Sequence, residues 1–186
     1  MAPSSEARGN GNGSAGRLLV FVTVGTDHHP FDRLVDWVDR WLEQANDERI
    51  QCVVQHGTSA APTRTTGHDY LGFDEVRSTM REAQAVICHG GPGTIMLSRS
   101  VGRRPIVVPR RHGLGEHVDD HQVAFSRRIA ADGTIELAET EERFLELLQQ
   151  ALYEGTSTAT RSSAAAPQTI ERFEELLERR LGLGRS

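Results

Sequence analysis

A strand-like apolar run at residues 85–88 leads directly into the sequence HGGPGT at residues 89–94, which could bind an anion. A glycine-rich turn between a strand and a helix brings backbone N–H groups together, and glycine has no Cβ to keep a phosphate away. The same turn also occurs in proteins without a ligand, and His89 could simply be held by a loop carbonyl. However, a histidine at the carboxyl end of a buried strand favours ligand binding, because open α/β sheets bind ligands at that edge.

A second polar cluster, EHVDDHQ, follows at residues 116–122. An anion site combined with a group of hydrogen-bonding side chains indicates a ligand with a diphosphate and a hydroxyl-rich end, which describes a nucleotide-sugar. The same region also permits a metal interpretation, because His117 and His121 are four residues apart and would share a helix face. No third ligand follows at a fixed spacing, so we expect no metal site.

Composition restricts the class of protein. The 186 residues suit a single domain, and the net charge of −5, without a basic block, argues against nucleic-acid binding. No apolar run approaches the roughly 20 residues that cross a bilayer, and the start of the chain lacks the apolar segment of a signal peptide. Cys52 and Cys88 lie in apolar runs and are interpreted as core residues of a reducing compartment. We therefore expect a cytoplasmic protein.

Hydrophobic periodicity predicts alternating strands and helices, which is typical of a doubly wound, mostly parallel sheet. Strands are predicted at residues 18–24, 50–55, 69–73, 85–88, 106–108 and 134–137. Helices are predicted at residues 31–45, 73–83 (with Asp74 as N-cap), 95–101, 117–131 and 141–153.

Four segments are predicted along the chain. Residues 1–16 are rich in Gly, Ser and Asn and are interpreted as a flexible tail. Residues 17–155 form the α/β domain. Residues 156–167, rich in Ser, Thr and Ala, are a linker to a C-terminal helix at 168–186, whose apolar stripe would dock on a partner or on its own domain.

Three motifs in order, HGGPGT, GRRPIVVPR and EHVDDHQ, together with the opening VFVTVGTDHHPFDRLV, resemble a known family. They are similar to the donor-binding half of glycosyltransferases built from two Rossmann-like domains, and in particular to the separate catalytic subunits of split GlcNAc and exopolysaccharide transferases. The resemblance covers about residues 18–137. It implies a single Rossmann-like domain like the C-terminal half of the GT-B fold.

The resemblance also implies roles for individual residues. His89 and His28 would be catalytic, with a protonated His89 assisting the leaving diphosphate. The donor would be bound by two glycine loops, by a cation and by the polar cluster, namely Gly25, Thr26, Gly90, Gly91, Gly93, Thr94, Arg110, Glu116, Asp120, His121 and Gln122. In this assignment Arg110 neutralises phosphate charge, and His121 and Gln122 bind sugar hydroxyls with Glu116 and Asp120 beside them.

The implied activity is metal-independent transfer of a hexose-type sugar from a nucleoside-diphosphate sugar, UDP-sugar in particular, to a lipid-linked or polysaccharide acceptor. No cofactor is implied beyond this substrate. A membrane-associated, acceptor-binding partner would recruit the chain to the inner face of the membrane and supply the general base, unless Asp27, His28 or His29 does so.

Two alternatives remain from the sequence. Relatives place an acidic residue against the ribose where this chain has Leu97. That departure favours a nucleotide-sugar-binding or regulatory module without turnover. A non-hydrolysing nucleotide-sugar epimerase would require a second domain.

Overall fold

The computed structural model describes residues 16–153, which form one six-stranded sheet. The order is β3-β2-β1-β4-β5-β6, and every neighbouring pair is parallel. The strands are β1 (Leu18–Thr23), β2 (Ile50–Gln55), β3 (Thr66–His68), β4 (Ala85–Cys88), β5 (Ile106–Val107) and β6 (Glu136–Leu137). The predicted doubly wound Rossmann-like fold is confirmed. The predicted linker and C-terminal helix, and all but the last residue of the predicted tail, lie outside the described residues.

Helices cover both faces of the sheet. They are α1 (Asp32–Ala45), α2 (Phe73–Glu82), α3 (Pro92–Ser100), α4 (His121–Ala131) and α5 (Glu141–Tyr153). Side chains alternate along β1, so Val20 and Val22 pack with α1 and α5, whereas Phe21 packs on the opposite face with α2 and α3. Burial on both faces explains why the strands read as continuous apolar runs.

The structure corrects the predicted bounds of β3, the predicted N-cap of α2 and the predicted start of α4. β3 lies at 66–68 and not at 69–73, because pairing with β2 selects the strand: Thr66 aligns with Val53, and the His56 N–H donates to the carbonyl of His68. α2 is capped at Gly72, whose N–H donates to the Glu75 carboxylate, and not at Asp74.

The helix expected from residue 117 begins only at His121. Asp119 accepts the N–H of His121, and residues 112–114 form a single 3₁₀ turn, so the preceding segment is a loop. His117 and His121 therefore do not share a helix face. The ligand pair suggested by their spacing does not exist on a helix.

The site is positioned where the strand order reverses. β1 and β4 are neighbours, but β1 leads to α1 on one face of the sheet and β4 leads to α3 on the other. The chain therefore diverges at their carboxyl ends and opens a crevice there, which is the usual ligand position in such sheets. Within the described part of the chain, no helix is long and apolar enough to cross a membrane.

Candidate functional site

A cavity of about 220 Å³ lies at the carboxyl ends of β1, β2 and β4. One wall is apolar and the other carries hydroxyl, amide and imidazole groups. It is lined by Thr23, Gly25, Thr26, Gln55, Tyr70, Leu71, Phe73, Val76, His89, Thr94 and Leu97. Four of the residues expected to bind the donor are thus brought together here: Gly25, Thr26, His89 and Thr94. The segment from Tyr70 to Val76 was missed because an expected strand was placed over residues 69–73. Gln55 was missed because it was assigned only as the last residue of a buried strand.

The imidazole of His89 fills the space between two backbone turns. A Cβ at Gly25 would lie 2.5 Å from Cε1 of His89, and a Cβ at Gly91 would lie 2.3 Å from its Nε2. Gly25 also has a φ of +81°, in the region that favours glycine. Both glycines are therefore required by the histidine ring, so these turns and His89 form one packed unit.

The N-terminus of α3 offers unpaired donors beside this unit. Gly91 is the N-cap and Pro92 the first helical residue, and the N–H groups of Gly93 and Thr94 belong to the first turn, where a helix provides no partner for them. The first turn contains no acidic residue. A Cβ at Gly93 would meet open space, so no side chain outside its two chain neighbours approaches it within residues 16–153. This terminus is therefore able to receive an anion.

His89 is neutral at neutral pH. Its burial and the nearby Arg110 guanidinium lower the pKa of His89 to about 4. The protonated His89 expected from the sequence belongs to the departing diphosphate, so that state of the donor complex stays a prediction. The Nδ1 of His89 is buried, and no group of residues 16–153 pairs with it in good hydrogen-bond geometry, although the backbone of Thr23 acts on the ring to raise its pKa. A buried nitrogen without a partner is costly, and a bound ligand would relieve that cost.

Arg110 and Glu116 do not occupy the positions expected of donor ligands. Arg110 is fully buried, and its guanidinium donates to the carbonyl oxygens of Val24, His29 and Glu116 at 2.6–2.9 Å. It also lies 4.9 Å from the centroid of the Phe31 ring. The Arg110 side chain thus holds the loop after β1 against the loop before α4, and it does not reach into the cavity.

The Glu116 carboxylate is engaged in the same framework. It accepts two hydrogen bonds from Arg33, at 2.7 and 2.8 Å, and one from the N–H of Arg111 at 2.8 Å. Arg33 also donates to the carbonyl of Pro109. Three hydrogen bonds thus engage the Glu116 carboxylate in holding α1 and the loop before α4 together.

The polar cluster before and within α4 separates into an inner and an outer part. Gln122 lies against Gly90, where its Cβ would be 2.9 Å from a Cβ on that glycine, and its Oε1 is buried without a partner. His121 is exposed and pairs with Asp119 at 2.7 Å, whereas Asp120 accepts the N–H of His112. Of the expected sugar-binding residues, only Gln122 lies beside the glycine turn.

The loop after β1 carries a histidine–carboxylate pair. Asp27 Oδ1 accepts hydrogen bonds from the backbone N–H of His29 at 2.8 Å and from its Nδ1 at 2.6 Å. Burial acts to raise the pKa of Asp27, but these hydrogen bonds and the charge of Arg110 lower it to about 2. His28, which the sequence assigned to catalysis, is largely exposed, so His29 is the histidine oriented by a carboxylate.

The geometry defines a Rossmann-like domain with a glycine-rich helix N-terminus at its switch point. The chain belongs to the family of the glycosyltransferase family 28 C-terminal domain, whose model matches residues 19–179. The resemblance noted from the motifs is confirmed. No curated protein sequence matches the chain significantly.

Solved glycosyltransferase structures share the fold. The glycotransferase of kitacinnamycin matches with a TM-score of 0.56 and 16% identity, over 94% of this chain and 43% of that one. MurG of Acinetobacter baumannii matches with a TM-score of 0.55 and 18% identity, over 87% and 51%. SnogD from Streptomyces nogalater matches with a TM-score of 0.53 and 17% identity, over 83% of this chain and 40% of that one. The chain thus spans about half or less of the length of these proteins.

The first prediction concerns the buried framework. Glu116→Gln should lower the free energy of unfolding by about 3 kcal/mol, because Arg33 then stays buried without its counter-charge. Glu43→Gln is the matched control, since Glu43 pairs with Arg64 in the open at 2.6 Å and should change stability little. Urea unfolding at pH 7 measures the free energy of unfolding of both variants. Equal effects of the two substitutions would contradict the assigned role of Glu116.

The second prediction concerns the protonation state of His89. In the free protein at pH 6, the ring nitrogens of His89 should show the ¹⁵N chemical shifts of a neutral imidazole, because its pKa is about 4. The wild-type protein should also lose stability as the pH falls from about 6.5 towards 4, since the unfolded chain binds the proton more readily. A charged His89 ring at pH 6 would refute the assignment.

Proposed function

We propose that this chain is the donor-binding and catalytic subunit of a glycosyltransferase. In this proposal it transfers a hexose-type sugar from a nucleoside-diphosphate sugar, a UDP-sugar in particular, to a lipid-linked or polysaccharide acceptor. The observation that carries the proposal is the pairing of the free α3 N-terminus with the buried, unpartnered His89 at the switch point.

The diphosphate is proposed to bind at the N-terminus of α3. When the acceptor hydroxyl attacks the anomeric carbon, the bond from that carbon to the diphosphate oxygen breaks and negative charge grows on the leaving phosphate. The N–H groups of Gly93 and Thr94 and the positive end of the helix stabilise that charge without reorganising. Neutral His89 can donate a hydrogen bond to the same phosphate. This proposal needs no metal ion for the step.

The apolar wall of the cavity suits the base of the nucleotide. Tyr70, Leu71 and Phe73 lie at its rim, and Tyr70 and Phe73 are largely exposed in the free protein. Planar rings gain most from contact with flat apolar surfaces. Gln55 and Thr26 lie on the polar wall, where they can serve the ribose hydroxyls in place of the acidic residue of relatives.

The sugar is proposed to lie near Gln122. A buried amide oxygen that finds no partner among residues 16–153 is an acceptor for a sugar hydroxyl, and Gln122 lies beside Gly90 without lining the donor cavity. Base, diphosphate and sugar would then follow one line across the carboxyl edge of the sheet.

The acceptor is proposed to bind on a partner subunit. The chain covers about half or less of the length of the solved glycosyltransferases that share its fold, so a second domain would be needed to complete a cleft like theirs. The proton of the acceptor hydroxyl passes either to a base of the partner or to the His29 ring that Asp27 orients. A membrane-associated partner would hold the chain near a lipid-linked acceptor.

A second candidate function is a nucleotide-sugar-binding module without turnover. It is favoured by Leu97, a partly buried leucine of the cavity wall that packs with the apolar cluster around Phe21. Such a module would bind the donor but would not complete transfer with any partner.

The third prediction tests the diphosphate site. His89→Ala should weaken binding of UDP by about ten- to a hundredfold, because a hydrogen bond to a charged group contributes about 1.5–3 kcal/mol. Isothermal titration calorimetry measures the affinity, and circular dichroism confirms folding. His68→Ala is the control, because His68 lies on the edge strand β3. A folded His89→Ala protein with unchanged affinity would remove His89 from the site.

The fourth prediction tests the sugar position. Gln122→Ala should reduce the affinity for intact UDP-sugar more than the affinity for UDP, because its amide is proposed to meet only the sugar. Arg128→Ala, an exposed change on the same helix, should leave both affinities unchanged. Parallel calorimetric titrations with the two ligands supply the comparison. Equal losses for both ligands would place Gln122 away from the sugar.

The fifth prediction concerns the partner. The purified chain should bind nucleotide but transfer little sugar, and co-expression with a membrane-associated glycosyltransferase-like protein should restore transfer. Pull-down and a radiolabelled transfer assay, run with and without EDTA, measure both steps. Full turnover by the isolated chain on a soluble acceptor would overturn the split-enzyme proposal, and donor binding without transfer in every pairing would favour the binding module.

A further inference from the structure

One carboxylate in the structure is surrounded by three imidazole nitrogens. Asp27 Oδ1 lies 2.6 Å from Nδ1 of His29 and 3.7 Å from Nδ1 of His28, and Asp27 Oδ2 lies 3.9 Å from Nε2 of His117. We call these four residues the Asp27 cluster. They join the loop after β1 to the loop before α4. The donor cavity does not include them.

We propose that the Asp27 cluster binds a first-row transition-metal ion of the zinc type. The ligands are one carboxylate oxygen and three imidazole nitrogens, a donor set that zinc accepts readily. The sequence analysis predicted no metal site. This proposal differs because the fold brings together residues that lie far apart in the sequence. His117 turns away from the helix of His121 and towards Asp27, which lies 90 residues earlier in the chain.

The distances fit a shared cation. Zinc bonds of about 2.0–2.2 Å in a tetrahedron keep the ligand atoms about 3.3–3.6 Å apart. The His28 nitrogen lies 3.7 Å from Asp27 Oδ1 and the His117 nitrogen 3.9 Å from Oδ2, both close to that range, whereas the 2.6 Å hydrogen bond from His29 would lengthen as the ion enters. The nitrogens of His28 and His117 stand too far from Asp27 to be hydrogen-bonded to it directly. Within residues 16–153, the ligand atoms of Asp27, His28 and His29 all lie within 4.8 Å of one another, and His117 would approach the ion from outside this group.

The surroundings orient the ligands. His117 Nδ1 lies 3.3 Å from Asp119 Oδ1, so this carboxylate can fix the ring with Nε2 directed at Asp27. A carboxylate behind a ligating histidine is a common arrangement in zinc sites. His28 is 82% exposed, which leaves an entry path. The nearest opposing charge is Arg110, whose guanidinium is held on three carbonyl oxygens behind the loop.

A bound ion would cross-link two loops that flank the cleft. The loop after β1 and the loop before α4 are otherwise joined through Arg110 and Glu116, so the metal adds a second connection at the surface. A ligand that binds only the folded state raises the thermal midpoint. The cluster does not line the donor cavity, so its test needs no donor. With a metal ion on His29, the general base of the proposed transfer would be the one on the partner.

The test measures Zn²⁺ and Co²⁺ binding by the full chain after removal of metals with EDTA. Competition with a chromophoric chelator gives the Zn²⁺ affinity, and the visible spectrum of bound Co²⁺ gives the geometry. We expect one Zn²⁺ per chain, an intense tetrahedral Co²⁺ spectrum and a raised thermal midpoint. His29→Ala and His117→Ala should each weaken Zn²⁺ binding at least about tenfold.

Two control variants separate this site from other histidines. His121→Ala removes the partner of Asp119 but no member of the cluster, and His68→Ala removes a histidine on the distant edge strand. Both should keep wild-type Zn²⁺ affinity. The proposal is overturned if His121→Ala or His68→Ala loses as much affinity as His29→Ala, if the Co²⁺ spectrum is weak and octahedral, or if no Zn²⁺ binds. UDP binding, measured in EDTA, tests the proposed donor site and does not depend on whether the Asp27 cluster binds Zn²⁺.

Discussion

The structure depends on one fully buried guanidinium, that of Arg110. Burial lowers the pKa of this side chain, while Asp27 and Glu116 oppose the effect, and an arginine in a protein keeps its charge. Its hydrogen bonds to carbonyl oxygens must therefore be maintained, and these belong to the end of β1, to the loop before α1 and to the loop before α4. Three segments that are distant in sequence are thereby fixed around the carboxyl edge of the sheet.

The same cation links the framework to the chemistry of the cleft. Its charge acts with burial to lower the pKa of His89, so that this ring is neutral, and it helps to keep Asp27 ionised. A neutral His89 packed between Gly25 and Gly91 can direct a nitrogen at a ligand without the cost of a buried, unpaired charge. Arg110 would thus act on a bound diphosphate only through the groups it positions.

Much of the fold could be predicted from the sequence, because strands buried on both faces leave long apolar runs and the helices leave a 3.6-residue period. The edge strand β3, Thr66–His68, could not, since backbone pairing with β2 creates it and its side chains carry no apolar pattern. The glycine motif predicted the turn between β4 and the N-terminus of α3, and anion binding at that turn stays a prediction. Arg110 and Glu116 were misassigned because polar residues beside a cleft look alike in sequence, whether they face the ligand or hold the loops.

The N-terminus of α3 and His89 are proposed to bind the diphosphate of a nucleotide. The most direct test is a ¹⁵N-HSQC titration of the chain with UDP. The amide signals of Gly25, Gly93 and Thr94 should shift most, and they should do so together with the ring of His89. Absence of binding, or shifts confined to the groove lined by Arg111, Asp120 and Arg127, would contradict the account.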